Sequence, residues 1–106
     1  LQVHRSIVLM GPRRVGKTVM LYHLVQKLLE AGHPAKRILF ITVENPIYNH
    51  MGLEQLFKHG LEAAGAAGET QGWYVIFDEI QYLKDWDVHL KSVMESYRNT
   101  RFIVSG

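Results

Sequence analysis

The eight residues from Gly11 to Thr18 have the types and spacing of a phosphate-binding loop. They follow the pattern G-x-x-x-x-G-K-[ST], with an apolar run before them and a helical pattern after them. The glycines let the backbone turn tightly, so that successive N–H groups point at phosphate oxygens beside the positive end of a helix dipole. Lys17 would reach the β- and γ-phosphates, and the Thr18 hydroxyl would ligate Mg²⁺. The predicted nucleotide-binding residues are Gly11, Pro12, Arg13, Arg14, Val15, Gly16, Lys17, Thr18 and Val19.

A second group of reactive side chains follows a predicted strand later in the chain. Residues 73–77 form a continuous apolar, β-rich run, and Asp78 and Glu79 come directly after it. Because ligands bind outside the carboxyl ends of parallel strands, these carboxylates would lie beside the phosphate loop. Asp78 would hold Mg²⁺ through a water, and Glu79 would orient and polarise the attacking water. An acidic pair alone is usually a solvated turn, but the upstream loop favours the functional interpretation.

Other polar residues near the two motifs have simpler interpretations. Solvated side chains are the plainer alternative for Arg13 and Arg14, because the loop amides already bind phosphate. Glu44 and Asn45 precede a proline, which favours a turn over a role in coupling the catalytic water to a distant state. The histidines are scattered without the spacing of a ligand pair, which argues against a metal site built from them.

Strand and helix patterns alternate along the chain. Apolar β-rich runs predict strands at residues 3–10, 38–43, 73–77 and 101–105. Helical periodicity predicts helices at about residues 16–30, 53–64 and 86–97, with Gly32 ending the first and Asp85 capping the third. Such alternation is typical of an α/β fold with a parallel sheet covered on both faces. The sequence thus places both motifs in loops that follow parallel strands.

Composition limits the alternatives. The 106 residues suffice for one domain core, and the net charge of +2 is too small to indicate nucleic-acid binding. The chain has no cysteine and no apolar run of membrane-spanning length, so we expect a cytoplasmic protein. It does not begin with methionine, and we expect it to be part of a longer protein.

Three segments together resemble a known family. They are the loop Gly11–Thr18, the stretch Phe77–Leu83 with Asp85 and Trp86 shortly after it, and the closing residues Phe102–Gly106. These segments are similar to prokaryotic AAA-type ATPases, which often carry a C-terminal nuclease-like domain of unknown role. The resemblance implies a three-layer P-loop NTPase fold of the additional-strand type, with strand order 1-4-3-2, and it implies ATP and Mg²⁺ as cofactors.

The resemblance also assigns roles by position. Lys17 and Thr18 match the Walker A positions, Asp78 and Glu79 match the Mg²⁺ and catalytic-base positions of Walker B, and Ser105 falls where a polar residue senses the γ-phosphate. A strand-end serine such as Ser105 is equally well explained as a plain cap or turn residue.

The family pattern extends beyond the segments seen here. Residues 1–106 would be the N-terminal part of the ATPase domain, with the fifth strand, the helical lid, a second sensor and an arginine finger lying outside them. Alone, this part should hydrolyse ATP poorly. The first strand would then be an unpaired sheet edge, which would favour self-association along Val3–Met10.

These observations predict Mg²⁺-dependent ATP hydrolysis coupled to a conformational change in an unknown protein or nucleic-acid client. The alternative is an ATP-dependent switch or interaction module with little hydrolysis, which would not need Glu79. A helicase lacks support because there is no basic stripe. A GTPase function also lacks support, because the chain has no Asn-Lys-x-Asp motif to recognise the base. A small-molecule kinase function lacks support because no acceptor site is visible in the sequence.

Overall fold

The computed structural model describes residues 6–9, 17–43, 52–66 and 71–106, with residues 6–9, 17 and 18 described by their backbone. Strands and helices alternate, as the apolar periodicity predicts. The elements, in chain order, are β1 (Ser6–Leu9), α1 (Lys17–Glu30), β2 (Ile38–Thr42), α2 (Leu53–Ala63), β3 (Tyr74–Asp78), α3 (Trp86–Ser96) and β4 (Arg101–Ser105). Short 3₁₀ turns at Ala35–Arg37 and Ile80–Tyr82 precede β2 and α3.

The four strands form one parallel sheet in the order β1-β4-β3-β2. This order confirms the predicted α/β fold class and the insertion of the fourth strand between the first and the third. The bounds of β4 agree with the prediction, and β3 begins one residue later than predicted. Beyond the end of β2, the Val43 amide still donates to the Asp78 carbonyl at 2.9 Å. The predicted strand residues 3–5 and 10 lie outside the described residues.

Helices cover both faces of the sheet, which explains why the central strands are apolar throughout. On one face, Leu21 of α1 packs on Ile76 of β3 and Ile103 of β4, and each of these residues is at most 2 % exposed. On the other face, α2 and α3 pack on the alternate residues of the same strands, including Phe77 and Phe102. Because side chains alternate across a strand, a strand buried on both faces needs apolar residues at successive positions.

The first helix ends where its glycine predicts. Gly32 has φ of 94°, a left-handed conformation that glycine adopts without a steric penalty. The His33 amide donates to the Leu28 carbonyl at 3.0 Å, and the Gly32 amide donates to the Leu29 carbonyl at 3.0 Å. These two bonds form a Schellman motif, which satisfies carbonyls at the helix end.

Two local predictions were wrong in detail. Asp85 does precede α3, but its backbone is left-handed (φ 55°, ψ 35°) and its side chain makes no capping bond. A capping side chain needs an extended backbone to reach the first amides of the helix, and Asp85 lacks one. Ala64, the last residue of the predicted second helix, lies just beyond α2 and is exposed. The buried face of α2 therefore ends at Leu61.

The aromatic residues Trp73, Trp86 and Tyr97 pack in or against the core, with Trp73 only 2 % exposed. Among the helices in the described part of the chain, none has the length and apolar character needed to cross a membrane.

Candidate functional site

The carboxyl ends of the parallel strands meet at one edge of the sheet. Leu9 pairs with Ser105, and Thr42 pairs with Asp78. Phe77 pairs with Val104, so that Asp78 and Ser105 are the next residues along the two central strands. The fold therefore brings together two of the predicted site residues, which are distant in sequence.

Asp78 is the last residue of β3 and is only 5 % exposed. Its Oδ1 accepts a hydrogen bond from the Glu79 amide at 2.9 Å. A buried carboxylate is costly unless polar partners or a cation compensate it, and a carboxylate oxygen is a preferred ligand of Mg²⁺. Asp78 thus offers a carboxylate, the chemistry of a magnesium ligand, at the carboxyl edge of the sheet.

Glu79 has an unusual backbone conformation. Its φ of 60° and ψ of 42° lie in the left-handed region, which is uncommon for residues other than glycine. The Glu79 Oε1 accepts a hydrogen bond from Gln81 Nε2 at 2.7 Å. Local strain of this kind often occurs at functional sites, where the surrounding structure holds it. Here the strain turns the chain sharply after β3, and the carboxylate of Glu79 stays partly accessible at the sheet edge.

Ser105 ends β4 in a fully buried position. Its Oγ has no hydrogen-bond partner among the described residues. Leaving a buried hydroxyl unpaired typically costs about 1–3 kcal/mol. A phosphate oxygen at the sheet edge would be a suitable partner for this hydroxyl.

The phosphate loop itself lies mostly outside the described residues. The loop residues outside the described ranges are Gly11, Pro12, Arg13, Arg14, Val15 and Gly16. Glu44 and Asn45, after β2, also lie outside them. Lys17 and Thr18 begin α1, and Val19 follows them with 54 % of its surface exposed. In chain order, the carboxyl end of β1 is followed by the N-terminal end of α1. The phosphate contacts of these residues remain predictions.

No group of three or more histidine or acidic side chains forms a metal cage within the described ranges. Mg²⁺ rarely uses such a cage, because it keeps several waters and binds through one or two protein ligands together with phosphate oxygens. The predicted pair Thr18 and Asp78 fits that mode of binding.

Two residues at the site received no role in the sequence analysis. Gln81 donates to the carboxylate of Glu79, and Gly106 approaches Gln81 so closely that a Cβ at position 106 would collide with Gln81 Oε1. Both lie in segments that carry the family resemblance, Asp-Glu-Ile-Gln and Val-Ser-Gly. That resemblance was the available signal, but it did not indicate that the two segments touch.

A family model described as an AAA domain matches residues 3–106, nearly the whole chain. The chain belongs to the AAA domain family. Membership confirms the resemblance to AAA-type ATPases, and it indicates nucleotide binding as the general activity of the domain.

A curated relative from Haemophilus influenzae, described as an uncharacterized protein, is 26% identical over 99 residues. The aligned region covers 93% of this chain but spans 24% of the length of that relative. No solved structure gives a significant match.

Proposed function

We propose that this AAA domain binds ATP with Mg²⁺ and hydrolyses it, and that the cycle drives a conformational change. The observation that carries the proposal is the placement of two buried polar residues at the ends of adjacent strands, at the carboxyl edge of the sheet. Asp78 and Ser105 end the adjacent strands β3 and β4, and the Ser105 hydroxyl has no partner among the described residues. An apolar sheet has no structural need for these groups, whereas a nucleotide phosphate would be a partner for the Ser105 hydroxyl and its cation would be a partner for the Asp78 carboxylate.

The proposed roles follow from position and chemistry. The backbone of Gly11–Gly16 and the Lys17 ammonium would bind the phosphates. Thr18 and Asp78 would hold Mg²⁺, which supplies charge neutralisation for the β- and γ-phosphate oxygens when it is bound. The Glu79 carboxylate would accept a proton from the attacking water, and the Ser105 hydroxyl would donate to a γ-phosphate oxygen.

We also propose that residues 1–106 are one part of an ATPase domain in a longer protein. Support comes from the curated relative, of which the chain spans 24%. Elements beyond residue 106 would then supply an arginine for the transition state, which is typically worth about 10³-fold or more in rate.

The function is tested in the full-length protein with two substitutions and their matched controls. Lys17→Ala should weaken binding of a fluorescent ATP analogue by about 2–3 kcal/mol or more, because a charge-assisted contact to phosphate is lost. Glu79→Gln should retain ATP binding and lose hydrolysis, because an amide is a far poorer base than a carboxylate. Lys27→Ala and Glu30→Gln, both at exposed positions near the end of α1, should behave as the wild type.

Each result has a distinct meaning. Unchanged affinity in Lys17→Ala would remove the phosphate-loop assignment. Wild-type turnover in Glu79→Gln would show that Glu79 is not the base. If the wild-type protein binds ATP tightly but scarcely hydrolyses it, even with its client, the chain is a nucleotide-dependent switch instead.

A further inference from the structure

A cluster of three residues connects the end of β4 to the proposed catalytic base. Glu79 and Gln81 flank the first residue of the 3₁₀ turn after β3, and Gly106 directly follows β4. Gln81 Nε2 donates to Glu79 Oε1 at 2.7 Å. The opposite atom of the same amide, Gln81 Oε1, faces Gly106.

Gly106 leaves little room for a side chain. A Cβ at this position would collide with Gln81 Oε1, and it would lie 3.1 Å from Ile80 Cγ2 and 3.2 Å from the Gln81 amide nitrogen. A methyl group there would push the Gln81 amide away from its present position. The absence of a side chain at position 106 is therefore a condition for the present orientation of the amide.

We propose that Gln81 is a positioning residue that fixes the carboxylate of Glu79, and that Gly106 keeps the Gln81 amide in place. The inference rests on the proposed function, in which Glu79 is the base. One carboxylate oxygen accepts from Gln81, while Glu79 Oε2 has no hydrogen-bond partner in the described part of the chain. That second oxygen is available to accept a proton from the water. A glutamate side chain has several rotatable bonds, so holding one oxygen restricts where the other lies.

The cluster also relates the base to the γ-phosphate. Ser105, the proposed γ-phosphate contact, immediately precedes Gly106. A shift of the β4 end on phosphate binding would change the contact between Gly106 and the Gln81 amide. The position of Glu79 would then depend on whether a γ-phosphate is present.

The bond between Gln81 and Glu79 is exposed, and exposed polar pairs contribute little to stability. If Gln81 served only the structure of the 3₁₀ turn, removal of its hydrogen bond to Glu79 would therefore leave ATP hydrolysis unchanged. A positioning role predicts the opposite, which is a loss of turnover without a loss of folding or of ATP affinity. The two roles can thus be separated by kinetics.

The test uses Gln81→Ala, Gly106→Ala and the double variant in the full-length protein, with Gln26→Ala on the exposed side of α1 as the control. Gln81→Ala should lower kcat about tenfold, because the hydrogen bond to the charged base is lost, and should leave KM and ATP affinity within about twofold. Gly106→Ala should lower kcat to a similar extent. The double variant should be no slower than Gln81→Ala, because removal of the amide also removes the collision. Gln26→Ala should match the wild type.

The outcomes separate this inference from the proposed function. Wild-type kcat in Gln81→Ala would overturn the positioning role, even where Glu79→Gln is inactive and the proposed function stands. Losses that multiply to about 100-fold in the double variant would overturn the link through Gly106. If Gly106→Ala fails to fold, Gln81→Ala decides the positioning role by itself. Turnover by Glu79→Gln at the wild-type rate would instead remove the base assignment on which both proposals depend.

Discussion

At the scale of single residues, the sheet edge carries features that reduce stability. The left-handed backbone of Glu79 costs free energy, as does the buried hydroxyl of Ser105, which has no hydrogen-bond partner among the described residues. Beside them, Asp78 is a carboxylate that is only 5 % exposed. All three lie at, or directly after, the ends of the neighbouring strands β3 and β4. Similar single features lie elsewhere: Asp85 also has a left-handed backbone, and Trp73 Nε1 and His89 Nδ1 are also buried without a hydrogen-bond partner in the described part of the chain. The sheet edge differs in that backbone strain, a buried acid and a buried hydroxyl occur there together, as they do at many binding sites.

The Ser105 hydroxyl gives a prediction in which stability and activity change in opposite directions. Ser105→Ala removes a buried polar atom that has no hydrogen-bond partner among residues 6–9, 17–43, 52–66 and 71–106, so nucleotide-free stability should be unchanged or rise by up to about 1 kcal/mol. ATP hydrolysis should fall about tenfold, because the γ-phosphate loses a hydrogen bond. Hydrogen exchange of the β4 amides and steady-state phosphate release measure the two effects. Ser92→Ala, at an exposed position of α3, is the control. Lower stability with unchanged hydrolysis would mean that Ser105 is a structural residue.

At the scale of elements, a polar contact joins the two helices on one face of the sheet. The Tyr97 hydroxyl, just beyond α3, donates to Glu54 Oε2 in the first turn of α2 at 2.7 Å. The Tyr97 ring also packs edge-on against Phe57 of α2, with ring centroids 4.9 Å apart. Burial, the hydrogen bond to Glu54 and the Glu54 charge together raise the pKa of Tyr97 from 10.0 to about 12.

This pKa predicts how the contact responds to alkaline pH. Because the folded pKa lies above the unfolded value of 10.0, the contribution of Tyr97 is complete below pH 10 and is lost as the pH rises through about 12. Wild type should therefore be more stable than Tyr97→Phe below pH 10, and the difference should close between pH 10 and 12. Urea unfolding followed by tryptophan fluorescence measures the difference. If the difference in the free energy of unfolding between the two proteins stays constant from pH 10 to pH 12, the Tyr97 hydroxyl is not held by Glu54.

At the scale of the whole molecule, the core centres on the two middle strands. Phe102 of β4 is fully buried between Phe57 of α2, at 5.3 Å, and Phe77 of β3, at 6.4 Å between ring centroids. The Phe102 ring thus joins β4 to both α2 and β3 through aromatic packing. The same strands end in Ser105 and Asp78, so that the packing of the core determines the geometry of the site.

Phe102→Ala should therefore disturb both the fold and the site. Loss of a buried phenyl ring typically costs about 3–5 kcal/mol, a large share of the roughly 5–15 kcal/mol that stabilises a domain. In the full-length protein, hydrogen-exchange protection of the β3 and β4 amides should fall by that amount, and ATP affinity should fall with it. Val88→Ala, at a position that is 64% exposed on α3, should change neither. Protection equal to that of the wild type would show that the core is organised around other contacts.

Local patterns in the sequence determined which elements form and where the chemistry lies along the chain. Apolar runs bounded by breakers predict strands because both faces of a parallel sheet must be buried, and residues 101–105 form the strand that their composition predicts. Gly32 ends α1 because few other residues adopt its left-handed backbone. The positions of Asp78 and Glu79 after β3 were also predictable, since they follow directly from the apolar run. Strand order was predicted from the family resemblance and not from periodicity.

Only the tertiary structure decided which side chains meet. Tyr97 and Glu54 are 43 residues apart, and no local pattern relates them. Gly106 touches Gln81 because β4 lies beside β3, and neither residue type indicates this contact by itself. Ser105 was predicted as a sensor or a cap, but its complete burial depends on the sheet around it. Periodicity reports the free energy of burying one face of an element, whereas these contacts depend on how separate elements are placed against one another.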